Sequence, residues 1–86
     1  MYETYFSKRF DYQINKLVRG NPKLKDKIFK QIGLMLSNPK HPSLRLHKLS
    51  GKDNWSISIT KDIRILFSIQ GNLLLIIAIS THDEVY

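Results

Sequence analysis

The feature that most restricts this chain is a change of hydrophobic period at Pro42. Before it, apolar residues recur at helical spacing; after it, they alternate with polar ones. The first pattern lines one face of an α-helix and the second one face of a β-strand. A chain that switches once between them builds an α+β structure, with helices early and a sheet late.

In the first part, Tyr2–Phe6 is rich in aromatics and reads as a short strand. Ser7 stands where an N-cap belongs, and Phe10, Ile14, Leu17 and Val18 then mark one helical face. Gly20 supplies a stop, because glycine tolerates positive φ. Asn21-Pro22 starts a second helix, with Asn as cap and Pro in the first turn. Leu24, Ile28, Ile32 and Met35 give its apolar face, and Asn38-Pro39 ends it. So short a connection predicts a helical hairpin.

In the second part, Leu44, Leu46 and Leu49 predict a short strand. Trp55, Ile57 and Ile59 alternate with Ser56, Ser58 and Thr60, which places Trp55 with the core. Lys61-Asp62 reads as a two-residue turn. Ile63, Ile65, Phe67 and Ile69 then alternate with Arg64, Leu66 and Ser68. Gln70-Gly71-Asn72 reads as a hairpin turn. Leu73–Ile79 is apolar throughout and predicts a central strand covered on each side. The expected fold is therefore α+β, in the order β-α-α-β-β-β(-β). An N-terminal strand and a helical hairpin pack on one face of a twisted antiparallel sheet, and residues 1–86 form a single domain. The other face is expected to be partly polar, with Arg64 among small hydroxyl residues that leave room for a ligand.

Charge is the first clue to function. Fourteen Lys and Arg face seven Asp and Glu, a net +7 in 86 residues. Such an excess fits a polyanionic partner, either nucleic acid or an acidic protein. The absence of cysteine excludes disulfides, thiolate metal cages and cysteine nucleophiles. The longest apolar run, Leu73–Ile79, is far shorter than the roughly 20 residues of a spanning helix. Met1–Phe10 lacks the apolar stretch of a signal peptide. A cytoplasmic protein with no membrane partner is expected.

Candidate chemistry rests on few residues. His41, His47 and His82 lack metal-ligand spacing, so no metal is expected. Four scattered glycines form neither a phosphate-cradling loop nor a dinucleotide fingerprint, and no cofactor is expected. Ser50, His82 and Asp83 lack the glycine pattern of a nucleophile elbow. RNA cleavage by internal transfer asks for less, because the RNA supplies its own 2′-hydroxyl nucleophile. The protein adds a base, an acid and positive charge for the phosphorane. Histidine suits either proton role, and arginine grips two phosphate oxygens. His47, Arg64 and His82 stand on separate elements that a sheet can bring to one face. Each also has a plainer reading. His47 can be an ordinary exposed residue, Arg64 can pair with Asp62 or Glu84, and His82 can rest on a backbone carbonyl. The lysines Lys23, Lys25, Lys27 and Lys30 read as a solvated helix face.

One ordered set of residues carries a family resemblance. It comprises His41-Pro42, Leu46-His47-Lys48-Leu49-Ser50-Gly51, Trp55-Ser56, Asp62-Ile63-Arg64-Ile65-Leu66-Phe67 and Thr81-His82-Asp83-Glu84-Val85-Tyr86. With the strand and helical hairpin before it, the chain resembles the RelE/ParE superfamily of type II toxin–antitoxin toxins. The resemblance implies a ribosome-dependent mRNA endonuclease that cuts in the A site through 2′-hydroxyl attack. It implies a cognate antitoxin, mRNA and the ribosome as partners. By this similarity, Arg64 matches the arginine that stabilises the scissile phosphate, and His82 a C-terminal proton donor or acceptor. Tyr86 matches an aromatic that orients base or phosphate, and His47 a histidine of the YafQ-like branch. Arg45, Lys48, Lys52, Lys61 and Asp62 make up the expected substrate-binding set. Ser58 stands where that branch carries another histidine, and the glutamate base of a different branch has no counterpart. The ParE branch shares the fold but inhibits DNA gyrase without cutting RNA, so gyrase inhibition is the alternative expectation.

Overall fold

The computed structural model describes residues 2–49 and 53–81. The first strand, β1 (Glu3–Phe6), leads into two helices, α1 (Lys8–Leu17) and α2 (Pro22–Ser37). A short 3-10 helix (Pro42–Leu44) follows, then β2 (His47–Lys48), β3 (Asn54–Ser58), β4 (Ile63–Gln70) and β5 (Leu73–Thr81).

Helix boundaries fall where local chemistry sets them. The Ser7 hydroxyl accepts from the Phe10 N–H at 2.9 Å and donates to the Ile77 carbonyl, so one side chain caps α1 and ties it to the sheet. Gly20 takes φ 72°, the left-handed value its side-chain-free backbone permits. Asn21 Oδ1 accepts from the Leu24 N–H at 3.2 Å, and Pro22 fills the first turn of α2.

The sheet runs β1-β5-β4-β3-β2. Neighbours are antiparallel except β1, which lies parallel to β5 with Glu3 beside Leu73 and Phe6 beside Ile76. The sheet is therefore mixed, where a wholly antiparallel one was expected. The apolar pattern of Tyr2–Phe6 says that a strand forms but not which way its partner runs. β5 is an interior strand, flanked by β1 and β4. Its register against β4 slips after Leu66↔Ala78 to Phe67↔Ile76, leaving Ile77 as a bulge residue. The Ile77 carbonyl is the one that Ser7 secures.

Strand alternation separates two faces. Ile57, Ile65, Phe67, Leu74, Ile76 and Ile79 point towards the helices and join Phe10, Ile14, Ile28, Ile32 and Met35 in one buried cluster. Trp55 packs against its edge, as its phase with Ile57 predicts. Two glutamines fasten helices to strand backbone. Gln13 accepts from the Ile79 N–H at 2.8 Å and donates to the Ile79 carbonyl at 3.1 Å, and Gln31 donates to the Ser58 carbonyl at 3.1 Å. No second layer of described residues covers the other face. Leu75 and Ile77 there are only half-buried, where full cover was expected.

Two loop expectations need correction. Leu44 belongs to the 3-10 helix and is fully buried, so the leucine spacing does not mark one strand. Pro42 at the start of that segment favours a helical turn, and β2 is confined to His47–Lys48. The β3–β4 connection spans residues 59–62 rather than Lys61-Asp62 alone. Thr60 Oγ1 accepts from the N–H groups of Asp62 and Ile63, both at 3.2 Å, which holds the wider turn.

Candidate active site

On the face away from the helices, the register sets Ser58, Arg64 and Ser80 in one row, and Ser56, Leu66 and Ala78 in the next. His47 pairs with Ser56 and so shares that face. The connection from the 3-10 helix into β2 forms the remaining wall. The result is a cleft of about 550 Å³ lined by Arg45, Leu46, His47, Leu49, Ser56 and Arg64. That lies within the roughly 300–1,000 Å³ usual for ligand sites.

Arg64 is held at two points. Its Nε–H donates to Ser56 Oγ at 3.0 Å, and its Nη2–H donates to the Arg45 carbonyl at 2.8 Å. Both acceptors are uncharged, so neither cancels the guanidinium's charge. Asp62, a candidate ion-pair partner from the sequence, sits instead in the β3–β4 turn. The serines are not empty space around Arg64, as their size had implied. Ser56 is 1% exposed and serves as the anchor, and Ser58 Oγ donates to the Thr60 carbonyl at 2.9 Å.

Arg45 has φ 46° and ψ 54°, and among the described residues it is the one non-glycine with positive φ. Its surroundings impose that geometry. His41 Nδ1 accepts from the Ser43 N–H at 3.2 Å and caps the 3-10 helix, Pro42 fixes its first φ, and Leu44 is locked in the core. His41 is therefore a capping residue.

Of the nine residues expected at the site, the cleft gathers Arg45, His47 and Arg64. Lys48 turns to the opposite face, with Nζ 5.4 Å from the Trp55 ring centroid, because neighbouring residues of a strand point oppositely. Lys61 and Asp62 lie exposed in the β3–β4 turn, outside the cleft lining. Lys52, His82 and Tyr86 lie outside the described residues. β5 ends at Thr81, one residue before His82 in the chain. Sequence reasoning missed Leu46 and Leu49 as walls and the Arg45 carbonyl as an anchor. Only Pro42, opening a turn before a buried leucine, hinted at that bend. Among the described residues, no three His, Cys, Asp or Glu side chains cluster as a metal centre would require. No helix of the described residues is long and apolar enough to cross a membrane.

This strand, helical pair and four-strand arrangement is the RelE-like fold of the RelE/ParE toxin superfamily. No family model and no curated protein sequence matches the chain, so the likeness is one of structure. It superimposes on a metal-bound toxin from Helicobacter pylori with a TM-score of 0.82 and 25% identity, covering 100% of both chains. A structure of the DinJ-YafQ complex from E. coli gives 0.82 and 19%, over 100% of this chain and 99% of that one. A YoeB/ParE toxin from Agrobacterium tumefaciens gives 0.76 and 20%, over 93% and 98%.

Proposed function

We propose that the chain is a type II toxin that cuts mRNA in the ribosomal A site, with the cleft at Arg64 as its active site. The observation that carries this reading is an arginine fixed by two neutral oxygens on the same sheet face as His47, inside a cleft of nucleotide size. A guanidinium so held keeps its charge for an incoming phosphate, and its orientation costs nothing at the moment of reaction. The net charge of +7 favours the approach of RNA.

The reaction balances without an outside nucleophile. A base removes the 2′-hydroxyl proton, O2′ bonds to the adjacent phosphorus, and the bond to O5′ breaks. An acid returns a proton to O5′, leaving a 2′,3′-cyclic phosphate and a 5′-hydroxyl. Arg64 meets the negative charge of the phosphorane, and His47 and His82 are the proton-transfer candidates. Tyr86 is proposed to orient the base or phosphate. A cognate antitoxin is the expected protein partner. The E. coli relative YafQ was crystallised in a toxin–antitoxin complex with DinJ.

The test is induced expression of the chain, with primer extension on a defined transcript, translated and untranslated. In-frame cuts confined to translated mRNA are expected, and Arg64→Ala or His82→Ala strongly reduces them. Growth arrest with intact mRNA and lost DNA supercoiling overturns the reading in favour of gyrase inhibition.

A further inference from the structure

The left-handed backbone at Arg45 calls for an explanation. That conformation brings Cβ close to the following carbonyl, and glycine or asparagine adopts it at least cost. Here it is taken by an arginine, an exposed residue that lines the cleft. The same bend aims the Arg45 carbonyl at Arg64 Nη2, 2.8 Å away. The cap and the buried leucine that impose the bend thereby fix the carbonyl that holds Arg64, which ties this outlier to the site.

We infer that Arg45 has two roles at this site: its carbonyl, turned out by the left-handed bend, positions Arg64, and its guanidinium holds a second phosphate of the RNA. The inference rests on the proposed RNA-cutting function and extends it. Arg64 is committed through Nε and Nη2, which leaves one grip for the scissile phosphate. Arg45 approaches the same cleft from a different chain segment, so RNA is held at two backbone points. Leu46 and Leu49 supply apolar wall in the same cleft, suited to a base rather than to another charge.

Substitution separates the roles. Arg45→Gly removes the guanidinium and retains easy access to the left-handed bend. Arg45→Ala removes the same charge and keeps the backbone cost. Arg45→Lys retains charge without the planar fork. The probe is a 2′-O-methyl oligoribonucleotide, which cannot supply the nucleophile. Its binding to the purified full chain is followed by fluorescence anisotropy across a salt series. Arg45→Gly is expected to reduce the slope of log affinity against log salt by about 0.7, the value for one phosphate of a single strand. Arg45→Lys retains the slope. The Nε–H resonance of Arg64 is expected to stay sharp in Arg45→Ala, whose backbone cost is that of the native arginine, and to broaden in His41→Ala, which removes the cap that imposes the bend and cuts translated mRNA more slowly than the unaltered chain.

Three outcomes count against the inference, each differently. If the unaltered chain neither cuts translated mRNA nor binds the probe at the lowest salt, the RNA reading itself falls, and Arg45's role with it. If it binds and Arg45→Gly keeps the full slope, the RNA reading stands and the second phosphate contact is refuted. If His41→Ala matches the unaltered chain in Arg64 resonance and in cutting, the carbonyl does not position Arg64.

Discussion

The two faces of the sheet are built from the same strands and differ at every second residue. Towards the helices, Ile57, Ile65 and Phe67 belong to one buried apolar cluster. Away from them, Ser56, Ser58 and Arg64 interleave with those residues and form a hydrogen-bonded floor. The contrast assigns stability to one parity and chemistry to the other. A buried apolar side chain contributes through area and contacts, which needs close packing and no particular direction. A cationic site needs direction, supplied here by single bonds from Arg64 to Ser56 and Arg45. One strand serves both because its side chains alternate, so either face can change with little effect on the other.

That separation can be broken most directly at Phe67, which is 1% exposed. Phe67→Ala is expected to cost about 3–5 kcal/mol in urea unfolding. This is a large part of the roughly 5–15 kcal/mol that holds a small domain together. A loss below about 1 kcal/mol would mean that the helix-side cluster is not the main source of stability. Next comes Arg64→Ala. Removing an electrostatic donor of this kind is expected to slow in-frame cutting about 10²–10³-fold. Its unfolding midpoint should move much less than that of Phe67→Ala. If the two variants lose equal stability, the faces are not independent. Smaller again is Ser56→Ala, which removes the Nε anchor and leaves the charge. About 1 kcal/mol of positioning, or roughly fivefold in cutting rate, is expected. Unchanged cutting would make the Arg45 carbonyl sufficient by itself. The smallest effect belongs to Lys48→Ala. Its ammonium lies over Trp55 on the helix side, so a stability loss of about 0.5 kcal/mol is expected, with cutting within about twofold of the unaltered chain. A larger loss of cutting would show that RNA reaches past the β2 edge.

Period and capping residues made most of the architecture legible. Ser7, Gly20 and Asn21-Pro22 act through bonds to residues a few positions away, so their effect can be read locally. The phase of Ile57, Ile65 and Phe67 foretold the buried face, because burial follows parity. The direction of β1 was hidden, since the partner that decides it lies far along the chain. At the site, Arg64 stood out as a charge amid small residues, and His47 fell on its face. Lys48 did not, although the same strand rule governs both. Charge and proximity in the chain group it with the site, but one step along a strand reverses the face. The Arg45 bend was illegible for a different reason. Arginine carries no propensity for left-handed backbone, and the turn is imposed by Leu44 in the core and by the His41 cap.

The parallel pairing of β1 with β5 has a bearing on timing. Ser7 and Ile77 are bonded across 70 positions, so β1 has no sheet partner until nearly all the described chain has been made. At synthesis rates of 5–20 residues per second, the wait is roughly 4–14 s. During that interval β5 does not exist, and neither does the bulge that Ser7 fastens. The row that places Ser80 beside Arg64 is also missing. A nascent chain therefore completes its sheet only once residues 73–81 have been added.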